Sequence, residues 1–318
     1  MIENYKQSQE FETVELWNRC CYFDPITVDK FRLQTLLDEN FRPEMAWTAV
    51  EDGHVVGFSY ATKRIFPYME RGLEEDRGWI NVIYVDPDYR NKGIGHQLYQ
   101  REEEQLKDLG AKRIILGSYS PSYYFYGLDP DHYPESIHFF EKEGYEKGDE
   151  HYSMGMNLHG YRIPEEILMQ KNEAELKGYR FVHFDYKYCL ELLEFLKNEF
   201  GGGWKRNALI SMREGTAERI ILLALNPQHQ ICGFCMSEID GNPMRFGPIG
   251  VEKGERNNHI GSILLCLKCY EMEKQGIFRM YFMTTEKNAR RYYERNGLTV
   301  IRRYIDYRKT LTTESKLI

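Results

Sequence analysis

Apolar and polar positions follow one another along this 318-residue chain in segments that predict a regular order of helices and strands. Residues 8–20 and 27–37 have helical spacing, and Thr27 stands where a helix N-cap is expected. Two β-branched and aromatic segments then flank Asp52 and Gly53, a pair typical of a tight hairpin turn. The chain therefore begins with two predicted helices and a predicted β-hairpin.

The most apolar predicted strand of the first half, residues 79–85, leads into a turn that contains glycine. Pro87 ends this strand because it has no N–H for a sheet ladder. Gly93 and Gly95 allow the backbone to turn tightly and to approach a ligand closely. A helical pattern follows and ends at Gly110. Unpaired amides at the start of this helix would face the turn, which predicts a site for an anion such as pyrophosphate.

Four further segments complete the first half of the chain. Residues 114–117 and 152–158 have the pattern of strands, and residues 134–143 that of a short helix. Residues 119–134 form a loop rich in aromatic side chains, which is either a satellite core or the wall of a ligand groove. Residues 159–177 are polar and irregular, which predicts a connection between domains.

The pattern then starts again, and three segments of the second half repeat segments of the first half in the same order. Their starting points lie 176, 166 and 153 residues apart. A chance repeat would not keep this order, so the sequence predicts a duplicated domain, with residues 1–160 as the first copy and 161–318 as the second. The repeated segments are 54–59 and 230–235, 90–95 and 256–261, and 139–145 and 292–298.

The composition is that of a globular protein, with 42% hydrophobic and 29% charged residues. No segment has the apolar length of a membrane span, and no basic start precedes an apolar run, so we expect no membrane partner and a cytoplasmic location. The net charge of −7 argues against a nucleic-acid partner. Residues 1–160 carry 17 basic against 29 acidic residues, and residues 161–318 carry 25 against 20.

Seven cysteines include two C-x-x-C pairs, a spacing that also occurs in metal sites. Cys232 and Cys235 lie on a predicted strand, where residues three apart point to opposite faces. Cys266 and Cys269 lie on an apolar helical segment. We therefore interpret all four as buried structural thiols and predict no metal. The odd number of cysteines is typical of a reducing compartment.

The segment from Val85 to Gly95, Val-Asp-Pro-Asp-Tyr-Arg-Asn-Lys-Gly-Ile-Gly, resembles the acetyl-CoA pyrophosphate loop of the GNAT superfamily of N-acetyltransferases. That loop has the pattern Gln/Arg-x-x-Gly-x-Gly/Ala, which differs from the dinucleotide pattern Gly-x-Gly-x-x-Gly. With the repeat, the resemblance covers nearly the whole chain, as a tandem GNAT protein similar in layout to the mycothiol synthases. It implies an α/β fold, a mixed sheet with helices on both faces, in each domain.

The resemblance implies that the amides of both loops bind acetyl-CoA, the acyl donor. The second loop has His259 in place of the first glycine. The Cβ of His259 would crowd the phosphates unless the backbone stays right-handed. His259 could instead donate to a phosphate or be a tolerated surface residue. Asn288 stands where the family often holds the pantetheine arm. The residues assigned to acetyl-CoA are Tyr84, Val85, Arg90, Asn91, Lys92, Gly93, Ile94 and Gly95, and Val251, Arg256, Asn257, Asn258, His259, Ile260, Gly261 and Asn288.

Acetyl transfer to an amine needs removal of a proton from the amine, a donor to the carbonyl oxygen and an acid for the leaving thiolate. The resemblance places the carbonyl donor, a backbone N–H, near Val85 and Val251. It places the acid at Tyr293, four residues before a glycine, although this side chain could also be a core aromatic. The first domain has Phe140 there, which has no proton to give. Glu238 is the candidate base, with a solvated turn as the alternative.

The sequence thus predicts an acetyl-CoA-dependent N-acetyltransferase that acts on a small-molecule amine, with its chemistry in the second domain. One alternative places the chemistry in the first domain, with Tyr124 or Tyr126 as the acid. Another is a non-catalytic acyl-CoA-binding or assembly module, because the motif parts are divided between the halves. Aminoacyl transfer from tRNA is disfavoured by the intact loop and the acidic charge. The pattern determines neither the acceptor nor the oligomeric state.

Overall fold

The computed structural model describes residues 1–311, which divide into two compact units. The first unit comprises Met1–His151 and the chain from Arg303, and the second comprises Tyr152–Arg302. The boundary therefore differs from the predicted one at residues 160 and 161. The last seven residues of the predicted second domain, 312–318, lie outside the described residues.

The first unit contains the predicted helices, hairpin, strand and aromatic loop. The Thr27 hydroxyl accepts the N–H of Lys30 at 3.1 Å, as an N-cap does, and the helix that it starts continues as a π-helix, Arg32–Leu36. The strands are β1 (Ile2–Asn4), β2 (Ala46–Glu51), β3 (His54–Thr62), β4 (Arg77–Val85), β5 (Arg113–Leu116) and β6 (Glu146–Asn157), which continues into the second unit, and the helices are α1 (Glu10–Cys20), α2 (Val28–Phe31), α3 (Ile94–Asp108) and α4 (Pro134–Lys142).

The second unit begins with a helix that the sequence analysis missed. Residues 159–177 are not an irregular connection, because most of them form α5, whose Ile167 and Ala174 lie two helical turns apart and pack against the core of this unit. The helices are α5 (Glu165–Leu176), α6 (Cys189–Glu199), α7 (Gly202–Arg213), α8 (Ala217–Ile220), α9 (Ile260–Lys274) and α10 (Lys287–Arg295), and the strands are β7 (Arg180–His183), β8 (Ile221–Leu225), β9 (Ile231–Ser237), β10 (Phe246–Val251), β11 (Arg279–Phe282) and β12 (Thr299–Thr310), which continues into the first unit.

The first unit is built on a mixed sheet, whereas β10-β9-β8-β7 of the second unit are antiparallel. In the first unit the strand order is β1-β2-β3-β4-β5-β12-β6, and β4 and β5 run parallel. In the second unit, β10-β9-β8-β7 form one sheet, and β12-β6-β11 are neighbours in another. The first unit has helices on both faces: Phe58 of β3 lies in a core with Trp17 of α1, whereas its neighbour Gly57 faces Leu98 of α3. The predicted α/β class is confirmed.

The boundary differs from the prediction because two long strands each serve both units. The first half of β6 belongs to the first unit, and its second half pairs with β11 in the second unit. The second half of β12 returns to the first unit, where Arg308, Lys309 and Thr310 pair with β5. Ile305 and Tyr307 of this strand lie in the core of the first unit. The chain therefore completes its first sheet only with its last strand.

Strands β3 and β9 contain the same backbone irregularity, a β-bulge. Val56 and Cys232 are the extra residues of a β-bulge in these strands. The carbonyl of Val56 accepts the N–H of Asp86 at 2.9 Å, and that of Cys232 accepts the N–H of Glu252 at 2.8 Å. The same bulge thus fixes the residue that follows the central strand of each unit, as expected of a duplication.

The bulge corrects one inference about the cysteines. Because Cys232 is the extra residue, the alternation of the strand is shifted, and Cys232 and Cys235 lie in the same core instead of on opposite faces. Cys266 and Cys269 of α9 are buried as well. Burial raises the pKa of the Cys232 and Cys235 thiols to about 12. All four are free thiols, and no cluster suited to a metal ion occurs within residues 1–311.

Candidate active site

The first predicted loop forms a strand, a turn and a helix start in the first unit. After β4, one turn of 3-10 helix (Pro87–Tyr89) leads to Gly93, whose φ of 83° is left-handed, and α3 begins at the next residue. The first hydrogen bond of the helix runs from the Gln97 N–H to the Gly93 carbonyl at 3.0 Å. The amides of Ile94 and Gly95 therefore have no acceptor within the helix and point towards the turn, a geometry that binds anions.

The side chains of this loop hold its shape. The Arg90 Nε donates to the Val85 carbonyl at 3.1 Å, and its guanidinium also contacts Glu135 of α4 at 3.3 Å. The Lys92 Nζ donates to the Asp88 carbonyl at 3.0 Å. The charged groups of the loop thus brace the backbone, which leaves the amides as the groups that face a ligand.

Tyr84 is placed differently from the rest of the predicted set. Its side chain is buried, and its hydroxyl donates to the Thr13 carbonyl at 3.0 Å. Burial holds its pKa well above the ordinary value. The side chain therefore belongs to the core, and only the backbone of Tyr84 could contact a ligand.

The cleft of the first unit lies where β4 and β5 separate. Their parallel pairing ends at Ile80 and Leu116, whereas β4 stays paired with β3 as far as Val85. The aromatic loop packs on the face of β4 that carries Tyr84: the Trp17 ring lies 5.4 Å from that of Tyr84 and 5.8 Å from that of Phe125. The space beside this end of β4 is thus filled by buried aromatic side chains.

The hydrogen bonds of the loop support its role as a satellite core. The hydroxyl of Tyr119 donates to Asp38 at 2.9 Å, and that of Tyr124 lies 2.8 Å from the hydroxyl of Thr35. Burial raises the pKa of Tyr124. Of the two interpretations of this loop, the structure therefore supports a core over a groove wall, and Tyr124 is not placed as an acid. Tyr126 lies instead beside the His151 ring, at 5.0 Å.

The second unit repeats the strand, turn and helix start. The Arg256 Nε donates to the Val251 carbonyl at 3.4 Å, as Arg90 does to its own strand, and α9 begins at Ile260. His259 occupies the place of Gly93 with φ 58° and ψ 6°. Its backbone is left-handed, so the right-handed conformation considered from the sequence is not the one adopted.

The asparagines assigned to acetyl-CoA in the second unit lie in different surroundings. Asn258 donates to Glu255 at 2.6 Å and to the Tyr179 hydroxyl at 3.0 Å, which ties its side chain into the unit. The hydrogen bond from Tyr179 to Glu255 raises the pKa of the phenol to about 12. Asn257 and, on the first turn of α10, Asn288 are exposed.

A pair of tyrosines lies beside the second loop. Tyr293 of α10 is half-buried, with its ring 4.5 Å from Phe282 and 5.0 Å from Tyr292, and its hydroxyl makes no hydrogen bond to any described residue. Burial raises its pKa. The Tyr292 hydroxyl points at Gly261, 3.0 Å from the position that a Cβ would take there. At the matching glycine of the first unit the nearest ring is that of Phe139.

Glu238 is not a free carboxylate. Its two oxygens are both hydrogen-bonded by Arg219, with 2.9 Å between Arg219 Nη2 and Glu238 Oε1. Its backbone is left-handed, with φ 55°. A carboxylate held in a bidentate pair has its lone pairs directed at the guanidinium, which argues against its assignment as the base.

Sequence reasoning missed a histidine held by a buried carboxylate in the first unit. The His132 Nδ1 lies 2.8 Å from Asp129 Oδ2, and the other oxygen of Asp129 accepts the N–H groups of Asp131 and His132 at 2.9 Å. The His132 ring packs on that of Phe23 at 4.2 Å. The Asp-x-x-His spacing before α4 is the pattern that could have identified this pair.

Each unit contains one strand, turn and helix start, and a later helix that packs on the second glycine of that turn. This repeated arrangement defines a duplicated acyltransferase fold. Residues 11–145 match the model of the Acetyltransferase (GNAT) family. The first unit therefore contains a domain of this acetyltransferase family.

Two curated relatives match about a third of the chain. An acetyltransferase of Sodalis glossinidius is 28% identical over 115 residues, which are 36% of this chain and 72% of the relative. An acetyltransferase of Photorhabdus laumondii is 26% identical over 115 residues, with the same coverage of 36% and 72%.

No helix within the described residues has the length and apolar character needed to cross a membrane.

Solved structures show that the fold extends over both units. The glucosamine N-acetyltransferase region of a fungal multi-domain β-N-acetylglucosaminidase has a TM-score of 0.81 at 19% identity, and covers 97% of this chain and 38% of that one. A GCN5-related N-acetyltransferase from Sphaerobacter thermophilus has a TM-score of 0.72 at 18% identity over 98% of this chain and 95% of that one. A tandem GNAT protein of clavulanic acid biosynthesis has a TM-score of 0.64 at 13% identity, over 98% and 99% of the two chains.

Proposed function

We propose that this chain transfers the acetyl group of acetyl-CoA to a small-molecule amine, with the chemistry in its second unit. The observation that carries the proposal is Tyr293, whose hydroxyl has no hydrogen bond to a described residue. Burial raises its pKa, so the phenol keeps its proton at neutral pH and is available as an acid. The matching position of the first unit is Phe140, which has no proton to give.

The reaction needs few groups. The neutral amine, formed when the ammonium loses a proton to water, attacks the carbonyl carbon of the thioester with its lone pair, and a C–N bond forms. The nitrogen, now positively charged, then gives a second proton to water. A backbone N–H near Val251 stabilises the negative charge on the carbonyl oxygen. The C–S bond then breaks, the thiolate of coenzyme A takes the proton of Tyr293, and solvent restores that proton. In this scheme Glu238 is left to its ion pair with Arg219.

The donor would be held at the start of a helix. In the second unit, the free amides at the start of α9 face the turn after β10, and Asn288 on α10 is exposed for the pantetheine arm. The amides of Ile94 and Gly95 offer the same site in the first unit. We therefore infer that both loops bind acetyl-CoA, and that one of them turns it over.

The surroundings of the two central strands, β4 and β10, support turnover in the second unit instead of the first. In the first unit Tyr84 fills the space beside β4 with its own buried ring. In the second unit the corresponding residue is Gly250. It is covered by Phe200, which follows α6, and by Trp204 of α7, at 2.5 and 2.8 Å from an ideal Cβ. These two rings are only partly buried. They can therefore contact an acceptor without disturbing the strand.

A second candidate places the chemistry in the first unit. It is favoured by the glycine turn at Gly93, by the family match over residues 11–145 and by His132, which Asp129 orients as it would a general base. The filled space beside Tyr84 counts against it.

The test compares three variants of the full chain in an assay of thiol release from acetyl-CoA with a panel of amines. We expect Tyr293→Phe to lower kcat by about 10²- to 10⁴-fold, the usual contribution of acid–base catalysis, while acetyl-CoA binding stays unchanged. Tyr292→Phe, the matched control on the same helix, should retain activity. A loss with His132→Gln and none with Tyr293→Phe would instead assign the chemistry to the first unit.

A further inference from the structure

Arg245 stands at the apex of the second unit's cleft. It precedes β10 and forms with Tyr281 of β11 an isolated parallel bridge. The N–H of Tyr281 donates to the Met244 carbonyl at 3.0 Å, next to this bridge. Beyond it β10 and β11 are not paired within the described residues, so the cleft opens where Arg245 lies.

The guanidinium of Arg245 has no hydrogen bond to a described residue, although it is largely buried. Its side chain is 12% exposed, and its Nε is buried without a partner. The nearest carboxylate oxygen, of Asp240, lies 3.9 Å from Nη2, and that side chain is 69% exposed. The Tyr281 ring lies 5.6 Å from the guanidinium carbon. A permanently charged group with five donors is costly to bury in this state.

Two other arginines of the chain, in contrast to Arg245, have hydrogen-bond partners for their guanidinium groups. Arg64, which is 4% exposed in the first unit, donates to Glu74 at 3.0 Å and to the Ser120 carbonyl at 2.7 Å. Arg219 has both of its terminal nitrogens on Glu238. The Arg245 side chain, 12% exposed, is much more buried than that of Arg219, which is 49% exposed, yet its guanidinium has no hydrogen bond within the described chain.

The strand register shows which side of the sheet Arg245 faces. Its neighbour Phe246 packs towards Phe282, with ring centres 6.5 Å apart. Successive residues of a strand point to opposite faces, so Arg245 faces the other side. That side carries Phe200 and Trp204, which belong to the other core of the unit. The free guanidinium and the two partly buried rings thus share the face from which an acceptor would approach β10.

We infer that the acceptor amine carries an anionic group, a carboxylate or a phosphate, which Arg245 binds with two of its N–H groups. This inference rests on the proposed function of the second unit. A planar guanidinium matches two oxygens of either anion, and its weak contact with exposed Asp240 can give way to a ligand. The amine of the acceptor then lies towards the aromatic pair, where the cleft widens.

The experiment measures kcat/KM for pairs of amines that differ only in the anion. Phenylalanine with phenethylamine tests a carboxylate, and glucosamine 6-phosphate with glucosamine tests a phosphate. We expect the anionic member of one pair to be preferred by about 10- to 100-fold, the range of a charge-assisted hydrogen bond. Arg245→Met should remove that preference, and Arg279→Met, which changes an exposed arginine of β11, should keep it.

A binding measurement separates this inference from the proposed function. Calorimetry of the full chain with N-acetylphenylalanine and N-acetylglucosamine 6-phosphate, each against its neutral counterpart, needs no turnover. Anion-dependent binding that Arg245→Met abolishes supports the inference even if no amine is acetylated. Equal kcat/KM for both members of each pair, or a preference that Arg245→Met leaves intact, overturns it. The preference of the unmodified chain is informative even if the variant does not fold.

Discussion

At the scale of single residues, the duplication has placed opposite charges at matching positions of α3 and α9. Lys268 is buried in the second unit and donates to Glu271 at 2.7 Å. Glu102 is buried in the first unit, where the Ser59 hydroxyl donates to one oxygen at 2.7 Å and the other oxygen has no hydrogen-bond partner within residues 1–311. Burial holds the pKa of Glu102 well above the ordinary value. This carboxyl is therefore neutral in the folded chain.

Glu102→Gln should stabilise the protein, and more so as the pH rises. The folded-state pKa is raised, so the stability that the glutamate contributes is present below its unfolded pKa of about 4.3 and is lost as the pH rises towards the folded value. Glutamine keeps an acceptor for Ser59 and has no proton to lose. We expect a gain of roughly 1–3 kcal/mol at pH 7 and little at pH 4. Urea unfolding at both pH values measures it.

Glu104→Gln provides the control for this prediction. Glu104 lies on the same helix and is exposed, so its substitution should change stability by less than about 0.5 kcal/mol at either pH. A gain with Glu102→Gln that did not depend on pH would contradict a neutral buried carboxyl.

At the scale of elements, the turn before α3 and the turn after it provide a matched pair of glycines. Gly93 and Gly110 have φ of 83° and 81°, and neither has a protein atom closer than 3.4 Å to an ideal Cβ. Alanine at either position should cost about 1 kcal/mol of stability, because both backbones are left-handed. Only Gly93→Ala should also weaken acetyl-CoA binding at the first loop, by about tenfold (~1.4 kcal/mol), because its methyl group meets the phosphates.

Calorimetric titration of the full chain with acetyl-CoA measures this difference. The first unit's binding step should be lost or weakened in Gly93→Ala and preserved in Gly110→Ala. Equal affinities for the two variants would show that the loop does not approach the phosphates.

The corresponding turn of the second unit gives the opposite expectation. His259 has a left-handed backbone and an exposed side chain, so His259→Gly should relieve strain of about 1 kcal/mol and open the loop to phosphates. We expect tighter acetyl-CoA binding by the second unit. His229→Gly is the control, because His229 has φ 62° in an exposed turn away from the loop. Weaker binding by His259→Gly alone would mean that the imidazole donates to a phosphate.

The elements that local patterns predicted best are those with a local cause. Asp52 and Gly53 adopt the left-handed φ angles that the hairpin requires, 49° and 82°. The helix α5 was missed because only Ala174 of its residues is fully buried, while Leu168, Met169 and Leu176 are exposed. Its apolar side chains therefore do not follow a single face, and periodicity could not identify it.

At the scale of the whole molecule, the strand β12 should be essential to the first unit. Ile305, Tyr307 and Leu311 from the end of the chain are buried in its core. A fragment of residues 1–158 lacks them and leaves β5 as an open edge. We expect this fragment to lose at least about 5 kcal/mol of unfolding free energy, from about 1.5–3 kcal/mol for each buried side chain.

A second fragment tests the cause of that loss. Residues 1–158 joined by a flexible linker to residues 303–311 should recover stability in urea unfolding and remain monomeric in size-exclusion chromatography. If residues 1–158 alone were as stable as this linked fragment, β12 would not be part of the first unit's cooperative core.

The sequence by itself determined the repeated features that depend on a few neighbouring residues. These are the hairpin at Asp52 and Gly53, the strand and glycine turn that end at Gly95, their second copy and the position of Tyr293. Hydrophobic alternation, left-handed glycine and the start of a helix have local causes, so they can be recognised from composition and spacing.

Tertiary structure decided which side chains remain available for chemistry. It gave Glu238 a partner in Arg219, buried Tyr84, and left the guanidinium of Arg245 without a hydrogen bond in the described chain. It also returned β12 to the first unit, which moved the boundary from residue 160. These outcomes depend on pairings between residues far apart in sequence, because the folded chain brings together charges, rings and strand edges that no local pattern relates.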